Sequence, residues 1–328
     1  MTSTPSDSVL PSAPDAAAPA AEPAQASGAV ETAESSAPAA PAAKEPRTPR
    51  RAPIPGRAEA DPAYFRAEPV SFVRRGERMT AAQQRAWDDM RDTILIDVPR
   101  HNASTSILPG ANIDIPGAFE KPEQPLTVEI GSGLGEATAH AAQAHPERNF
   151  LAVEVYTPGL AKLMEEVSKR GLRNVRVMQA NAPEVLDEAL KPGQADEVWI
   201  FFSDPWHKTR HHKRRLITDA FAKRVATALR PGGTWRLATD WSNYAEQMRQ
   251  ILADSAEFTN LHDGAQAGLA SPLTDIRRQE IENRDAEPDF VDDIGGWAPR
   301  FEGRALTSFE QKALRAGRNI FDLEARRA

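Results

Sequence analysis

The sequence contains no cysteine among its 328 residues. A disulfide framework, a cysteine-based zinc site and a thiolate nucleophile are therefore excluded, and a reducing compartment is compatible with the composition. No apolar run approaches the roughly 18 residues that a membrane-spanning helix needs. The N-terminus also lacks the cationic start and apolar stretch of a secretion signal. We therefore expect a cytoplasmic protein that does not enter a membrane.

An excess of basic residues is missing as well, because the formal net charge is −7. Proteins that bind nucleic acid through a large part of their surface usually carry a positive charge, since they neutralise many phosphates. Any contact with nucleic acid is therefore expected to be local. No obligate protein partner is expected.

Residues 1–60 are rich in alanine, proline, serine and glutamate and contain almost no large apolar side chain. Such a segment does not bury enough apolar surface to offset the entropy of ordering, so we predict a disordered tail. Residues 61–328 are expected to form one folded domain. Within it, residues 97–125 and 262–300 lack a clear pattern and are predicted to be loops around the site.

Short apolar runs alternate with amphipathic stretches from Leu126 onward. This alternation is typical of an α/β fold in which helices wrap a mostly parallel sheet. Five strands are predicted, each rich in residues that suit a sheet covered on both faces, at residues 126–130, 150–155, 175–179, 197–202 and 234–239.

Two helices are predicted between these strands. The first is capped by Thr157 and ends at Gly171, with apolar residues at helical spacing between them. The second contains Phe221, Val225 and Leu229 and ends before the Pro231-Gly232-Gly233 turn.

A glycine-rich turn, Gly131-Ser132-Gly133-Leu134-Gly135, follows the first predicted strand. Glycines let the backbone approach a ligand closely, although a tight turn without a ligand is the alternative interpretation. Glu154 ends the second strand, where a carboxylate can accept hydrogen bonds from ribose hydroxyls. Asn181, after the third strand, is placed to meet an adenine edge, and Glu129 to face a positively charged part of the ligand.

The fourth predicted strand leads into Ser203-Asp204-Pro205-Trp206 at its carboxyl end, where open α/β sheets bind ligands. Asp204 can accept hydrogen bonds from the N–H groups of guanine while an aromatic side chain stacks on the base. Guanine N7 carries no proton, so its methylation needs alignment and charge stabilisation more than a base. A second acid, Asp240, ends the fifth strand and either holds the same base or, like Ser242, caps the next helix.

Five permanent cations and three histidines lie in the nine residues from His207 to Arg215. We interpret this run as a clamp for RNA phosphates, and the alternative is a solvated charged face. No metal site is expected, because adjacent histidines point in different directions and no carboxylate or cysteine accompanies them at ligand spacing.

The segment Phe201-Phe202-Ser203-Asp204-Pro205-Trp206-His207-Lys208 and the basic run after it resemble the bacterial tRNA (guanine-N7-)-methyltransferase family. The resemblance covers roughly residues 70–328. It extends to Ser71-Phe72-Val73-Arg74-Arg75, Gln83-Gln84-Arg85, Glu129-Ile130-Gly131, Glu154-Val155, Ala238-Thr239-Asp240-Trp241, Thr307-Ser308-Phe309-Glu310, Gly317-Arg318 and Phe321-Asp322-Leu323.

This resemblance implies a Rossmann-like class I methyltransferase fold, with a mostly parallel seven-stranded sheet and helices on both faces. It implies a catalytic role for Asp204, S-adenosylmethionine as cofactor and tRNA as partner, with methylation of guanosine N7 at position 46 of the variable loop. The cofactor is expected to contact Glu129, Gly131, Gly133, Gly135, Glu154, Asn181 and Asp204. The substrate guanosine is expected to contact Lys208, Asp240, Thr307, Ser308, Phe309 and Glu310, and RNA is expected to contact Arg210, His211, His212, Lys213, Arg214 and Arg215.

Four positions depart from the usual family pattern. Asn181 replaces an aspartate, Ser203 a proline, Ser132 an aromatic residue and Ser308 a lysine. Asparagine can still accept a hydrogen bond from the adenine amino group, so cofactor binding is expected to persist with altered strength. The change at Ser308 removes one cationic contact to the substrate.

Three alternative functions stay open. An NAD-dependent oxidoreductase is favoured by the glycine turn and Glu154, but the dinucleotide fingerprint places a glycine where this chain has Glu136. A methyltransferase for exocyclic amines is suggested by a weak similarity of Asp204-Pro205-Trp206 to an Asp-Pro-Pro-aromatic motif. A non-catalytic RNA-binding module would account for the departures at Asn181 and Ser203.

Overall fold

A computed structural model of the protein describes residues 78–262, 295–316, 318 and 320–328. The tail predicted for residues 1–60, the family-like segment at residues 71–75 and most of the predicted loop at 262–300 lie outside these residues. The boundary between tail and domain therefore stays a prediction. Residues 97–125 contain one short 3-10 turn, Pro116–Ala118, and are otherwise irregular, as expected.

The described part of the chain forms one seven-stranded sheet in the order β3-β2-β1-β4-β5-β7-β6. Strands β1 to β5 are parallel to one another, and β7 is antiparallel to both β5 and β6. This confirms the predicted mostly parallel sheet of seven strands. The strands are β1 Leu126–Ile130, β2 Asn149–Glu154, β3 Val175–Gln179, β4 Ala195–Phe201, β5 Leu229–Thr239, β6 Phe258–Asn260 and β7 Phe321–Arg327.

Six helices of eight residues or more accompany these strands in the described residues. They are α1 Ala81–Ile94, α2 Glu136–Ala144, α3 Thr157–Arg170, α4 Asp219–Ala228, α5 Ser242–Asp254 and α6 Ser308–Arg315. Shorter helical segments are the turn Ala182–Glu184, the π-helical turn Val185–Ala189 and the 3-10 helix Thr209–Arg214.

Both faces of the sheet are covered by helices, as β2 shows. Phe150 and Ala152 belong to an apolar cluster that includes residues of α1, α2 and α3. Leu151 and Val153, which point to the other face, belong to the cluster that includes α4 and α5. Side chains alternate along a strand, so a strand buried on both faces reads as a continuous apolar run. Apolar residues at most positions of β1 to β4 made these strands recognisable in the sequence.

The helix predicted to include Leu229 ends one residue earlier, at Ala228. Leu229 is fully buried and begins β5, where it pairs with Ala195 of β4. The Pro231-Gly232-Gly233 segment is an irregularity within this strand, not a turn before it, and Pro231 and Gly232 are exposed while Gly233 is buried. The register shift there lets β5 resume pairing at Thr234, the predicted first residue of the strand.

Two predicted helix caps are wrong. Tyr156, not Thr157, is the N-cap of α3, and the Thr157 hydroxyl instead accepts a hydrogen bond from Gln179 Nε2 at 2.7 Å. Neither Asp240 nor Ser242 caps α5, whose N-cap is Trp241 without a side-chain hydrogen bond. The C-terminal prediction is confirmed, because Gly171 ends α3 in the left-handed region at φ 64°.

The strand order places β1 beside β4, and the chain leaves β1 and β4 toward opposite edges of the sheet. Such a switch point opens a crevice at the carboxyl ends of the two strands. The glycine turn follows β1 and Asp204 follows β4, so the topology brings the two predicted halves of the site to the same place.

Candidate methyl-transfer site

A cavity of about 640 Å³ lies at the carboxyl ends of β1, β2 and β4. Its wall contains many of the side chains and glycines predicted from the sequence. They are Glu129, Gly131, Gly133, Glu154, Asp204, Lys208, His211, Arg214, Thr307 and Phe309.

The glycine turn and Glu154 are bonded directly to each other. The Gly133 N–H donates to Glu154 Oε2 at 2.8 Å. The N–H groups of Val155 and Tyr156 donate to Oε1 at 2.7 and 3.0 Å. Gly133 adopts φ 58°, which a residue with a Cβ rarely does. The carboxylate is therefore oriented by the backbone, and its contact with a ribose stays a proposal.

Helix α3 packs against this turn at Gly159, a residue that was not predicted from the sequence. A Cβ at position 159 would lie 2.2 Å from the Gly133 carbonyl oxygen. Gly135 does not line the cavity, and it starts α2 in the left-handed region with its α-carbon against the Leu163 side chain. The only sequence signal for Gly159 is a glycine in the first turn of a helix, where it is not needed for capping.

Glu129 lies on the cavity wall but is only 6% exposed. Burial raises the pKa of its carboxyl from 4.5 to about 7, although the Thr138 hydroxyl, which donates to Oε2, opposes this shift. A cation in the cavity would favour the ionised form. Nearby, the Ser132 hydroxyl is buried and has no hydrogen-bond partner within the described residues.

Asp204 lies on an exposed turn between two residues of unusual conformation. Phe202 has φ 57° and Trp206 has φ 49°, both in the left-handed region that non-glycine residues rarely occupy. The Phe202 N–H donates to the Ala238 carbonyl at 2.8 Å, which ties the turn to β5. Each such conformation costs about 1–3 kcal/mol and persists at functional sites when the surroundings enforce it.

Trp206 is packed against two members of the basic run. The Arg214 guanidinium lies 5.0 Å from the centre of its ring, and the His211 ring meets it edge-on at 6.0 Å. Both residues line the cavity. Arg210 and Lys213 are exposed on the 3-10 helix Thr209–Arg214, which also contains the partly buried His212. The prediction that these five residues contact RNA remains open.

Arg215 is not placed to contact RNA, which corrects the prediction for the last residue of the run. It is 1% exposed. Its Nε donates to the Pro205 carbonyl at 2.8 Å and its Nη1 to Gln247 Oε1 at 2.7 Å, and Nη2 donates to Asn243 Oδ1. The guanidinium also lies 4.9 Å from the centre of the Tyr244 ring. Its partners are therefore inside the protein.

Asn181 is also absent from the cavity wall, which is formed there by its neighbours Ala180 and Ala182. Its Oδ1 accepts from the Thr105 hydroxyl at 3.3 Å, and its Nδ2 donates to Glu184 Oε1 at 3.1 Å. The side chain thus links the loop that contains Thr105 to the helical turn Ala182–Glu184, and the predicted contact with adenine is not supported by this arrangement.

Asp240 lies outside the cavity wall as well. Its Oδ2 accepts a hydrogen bond from Arg318 Nε at 2.9 Å. Both residues belong to motifs of the family resemblance, at the end of β5 and just before β7. The structure thus joins the two motifs, and the predicted contact of Asp240 with guanosine remains a proposal.

The C-terminal segment closes one side of the cavity. Thr307 caps α6 by accepting from the Glu310 N–H at 3.2 Å, and both Thr307 and Phe309 line the cavity. The Ser308 N–H donates to Glu136 Oε2 at 2.8 Å, which joins α6 to α2. Ser308 therefore contacts, through its backbone, a residue of α2 that also lines the cavity.

Glu310 faces away from the cavity into a buried ion-pair cluster, which corrects its predicted contact with substrate. Its carboxylate is paired with Arg300 at 2.6 Å and with Arg304 at 3.2 Å. Burial alone would raise the pKa of Glu310, but the hydrogen bonds and charges of these arginines hold it below its ordinary value. Arg304 also pairs with Asp322 of β7 and lies 5.1 Å from the centre of the Phe201 ring.

Comparison with known proteins decides the family. Residues 123–323 match a family model described as "Putative methyltransferase". The tRNA (guanine-N(7)-)-methyltransferase of Arthrobacter sp. (strain FB24) is 50% identical over 292 residues, which cover 84% of this chain and 91% of that protein. The protein of the same name from Paenarthrobacter aurescens (strain TC1) is 49% identical, with 84% and 97% covered. The chain belongs to the tRNA (guanine-N7-)-methyltransferase family.

A solved structure, the 16S rRNA methyltransferase KamB, is also similar to the chain, with a TM-score of 0.39 and 15% identity. The match covers 67% of this chain and 97% of that one. Among the described residues, no helix is long and apolar enough to cross a membrane. The same residues contain no cluster of three or more histidine, aspartate or glutamate side chains arranged to hold a metal ion.

The cavity of this family member fits S-adenosylmethionine, the methyl donor of the family. Glu129 offers a buried acid to a ligand with a positively charged end, and the buried Ser132 hydroxyl has a hydrogen bond still to make. The Gly133 turn and the backbone-oriented Glu154 carboxylate lie on the same wall. These residues together would hold the donor.

Proposed function

We propose that this protein transfers a methyl group from S-adenosylmethionine to N7 of guanosine in tRNA, at position 46 of the variable loop. The observation that carries the proposal is the position of Asp204, an exposed carboxylate in the same cavity as Glu129 and Glu154. The relatives that are 50% and 49% identical over most of the chain carry the name of this activity.

When bound, S-adenosylmethionine supplies an electrophilic methyl group. Glu129 faces its positively charged end, and the Gly133 turn with Glu154 fixes the nucleoside end. Asp204 accepts hydrogen bonds from the N–H groups on the opposite edge of guanine and thereby orients the base. N7 carries a lone pair and no proton, so the chain has no proton to remove before the transfer.

The purine becomes positively charged as N7 is methylated. This positive charge comes from the sulfonium of the donor, and a carboxylate at Asp204, which holds the base, favours its movement onto the purine. Each 1.36 kcal/mol of such stabilisation in the transition state corresponds to about a tenfold change in rate. Alignment of the two reactants supplies the rest.

The tRNA is held by the exposed cations beside the cavity. Lys208, Arg210 and Lys213 are exposed around the 3-10 helix that leads away from Trp206. The overall charge of −7 means that this patch acts locally and not as part of a basic surface. Trp206, held by Arg214, offers an aromatic surface next to Asp204.

Incubation with an unmodified tRNA transcript and radiolabelled S-adenosylmethionine, followed by nucleoside analysis, tests the proposal. We expect labelled 7-methylguanosine, and none from a transcript with adenosine at position 46. Asp204→Asn should lose the activity, whereas Asp219→Asn, an exposed aspartate at the start of α4, should keep it. Absence of 7-methylguanosine with the wild-type protein would refute the proposal, and full activity of Asp204→Asn would refute the role of Asp204.

A further inference from the structure

Two consecutive arginines at the end of the basic run point in opposite directions. Arg214 lines the cavity and packs on Trp206, whereas Arg215 is buried against α5. We propose that Arg215 is a positioning residue, which fixes the turn that carries Asp204 by holding the Pro205 carbonyl against α5. This inference rests on the proposed function, because it assigns a role relative to Asp204.

The guanidinium of Arg215 uses its planar geometry to reach three acceptors at once. Nε binds the Pro205 carbonyl, and the two terminal nitrogens bind Gln247 and Asn243, which lie one turn apart on α5. The five N–H donors of arginine are arranged in a fixed fork. A lysine at this position would present a single ammonium group and could not reproduce the three directions.

Helix α5 is a firm support for this contact. Tyr244 and Met248 are fully buried in the main apolar cluster of the domain. Gln247 is itself held, because its Nε2 donates to the Ile217 carbonyl at 2.9 Å. The Tyr244 hydroxyl accepts from the Ile217 N–H at 3.0 Å, and the Ser203 hydroxyl donates to it at 3.4 Å.

Asp204 is thus connected to α5 on both sides. Ser203, which precedes Asp204, donates a hydrogen bond to Tyr244. Pro205, which follows Asp204, accepts a hydrogen bond from Arg215. The contact through Arg215 is the shorter, at 2.8 Å against 3.4 Å, and it uses a charged donor. Arg215 is therefore the stronger of the two side-chain links between the turn and α5.

The turn needs such a link because its backbone is strained. Phe202 and Trp206 both have positive φ values, and sparsely populated conformations of this kind persist only when their surroundings enforce them. If the Pro205 carbonyl were released, the turn could relax and move the Asp204 carboxylate. A displacement of about 1 Å can cost about a hundredfold in rate.

Arg215→Lys tests this role when it is compared with Lys213→Gln in the exposed part of the same run. We expect Arg215→Lys to lower kcat by about tenfold to a hundredfold, with the KM for tRNA, the tRNA affinity and its dependence on salt all within about twofold of wild type. Lys213→Gln should show the other pattern, a weaker tRNA affinity and a smaller salt dependence. Asn243→Ala, which removes one acceptor of Arg215, should lower kcat by a smaller factor and covers the case in which Arg215→Lys does not fold.

Hydrogen exchange of the peptide that contains residues 202–208 provides a readout independent of activity. We expect faster exchange at these amides in Arg215→Lys and Asn243→Ala than in wild type and in Lys213→Gln. If a folded Arg215→Lys keeps its kcat, or loses tRNA affinity together with salt dependence, the positioning role is overturned. If the wild-type protein forms no 7-methylguanosine, the proposed function fails, and the exchange of this peptide still decides whether Arg215 holds the turn.

Discussion

The Gly133 N–H donates to Glu154 Oε2 at 2.8 Å, so the glycine turn after β1 and the acid that ends β2 form one unit. The other carboxylate oxygen accepts from the two N–H groups that follow Glu154 in the chain. Three backbone donors thus orient Glu154 before any ligand enters the cavity. Preorganisation of this kind lowers the cost of ordering a binding site.

Glu154→Gln is predicted to weaken the cofactor site and the fold together. A carboxamide would turn an N–H group toward at least one of the backbone donors that now meet an oxygen. Losing one hydrogen bond to a charged group costs about 1.5–3 kcal/mol of folding stability. Because the side chain proposed to bind the ribose loses its orientation, we also expect about a tenfold or larger loss of affinity for S-adenosylmethionine. Calorimetric titration and urea unfolding measure the two effects. The control is Glu147→Gln, which changes an exposed glutamate before β2. Equal cofactor affinities and equal free energies of unfolding for the two variants would contradict the role given to Glu154.

The stability of the fold should depend on the ionisation of Glu129. Burial raises the pKa of this carboxyl from 4.5 to about 7. Between these values the unfolded chain has lost the proton that the folded chain retains, so the stability falls as pH rises across this window and levels off above it. The full effect is about 3 kcal/mol at 1.36 kcal/mol for each pKa unit.

Glu129→Gln removes this titration. In urea unfolding, we therefore expect the free energy of unfolding of the variant to rise relative to that of wild type by about 3 kcal/mol between pH 5 and pH 8. The affinity of the variant for the positively charged cofactor should fall. Wild type should also release a proton on binding the cofactor near pH 7, since a cation favours the ionised carboxylate. Parallel unfolding curves for the two proteins across this pH range would show that Glu129 is not the group responsible.

Gly159→Ala is predicted to displace the glycine turn from within α3. The added Cβ would lie 2.2 Å from the Gly133 carbonyl oxygen, a backbone atom that cannot rotate away. The turn must shift, and with it the N–H that binds Glu154. Cofactor affinity should fall by about tenfold or more, as measured by calorimetric titration. Ser168→Ala on the exposed face of the same helix should have no effect, and an unchanged affinity for Gly159→Ala would contradict the packing described.

Glu310→Gln distinguishes a structural role from a contact with substrate. Breaking a buried ion pair by removing one partner costs about 3–5 kcal/mol, so we expect a large loss in urea unfolding, while Glu302→Gln nearby should be neutral. Because the pKa of Glu310 is lowered in the fold, its stabilising effect is present above pH 4.5 and disappears as pH falls below it. A loss of activity with full stability would instead place Glu310 against the guanosine.

Strands β1 to β5 were predicted from the sequence, whereas β6 and β7, at one edge of the sheet, were not. Strands β1 to β4 are buried on both faces, so apolar residues occupy most of their positions. Strand β6 has only three residues, and β7 contains a buried acid, Asp322, that is tolerated because Arg304 pairs with it. Strand β7 alternates apolar and charged residues, and this pattern differs from the mainly apolar one that identified β1 to β4.

The acids of the site were predictable for the same topological reason. Glu129, Glu154 and Asp204 lie at or just after the ends of parallel strands, and these ends meet at one edge of the sheet. The errors concern charged residues whose partners are set only by the folded chain. Arg215 differs from Arg214 only in the direction of its side chain, and Glu310 meets arginines from the segment before α6.

Replacement of the target guanosine by 7-deazaguanosine tests the central claim most directly. This analogue keeps the N–H groups that Asp204 is proposed to bind and replaces N7 by a carbon without a lone pair. We predict that a tRNA with 7-deazaguanosine at position 46 still binds the protein but takes no label from radiolabelled S-adenosylmethionine, whereas the matched guanosine tRNA is labelled. Equal labelling of the two tRNAs would contradict transfer to N7.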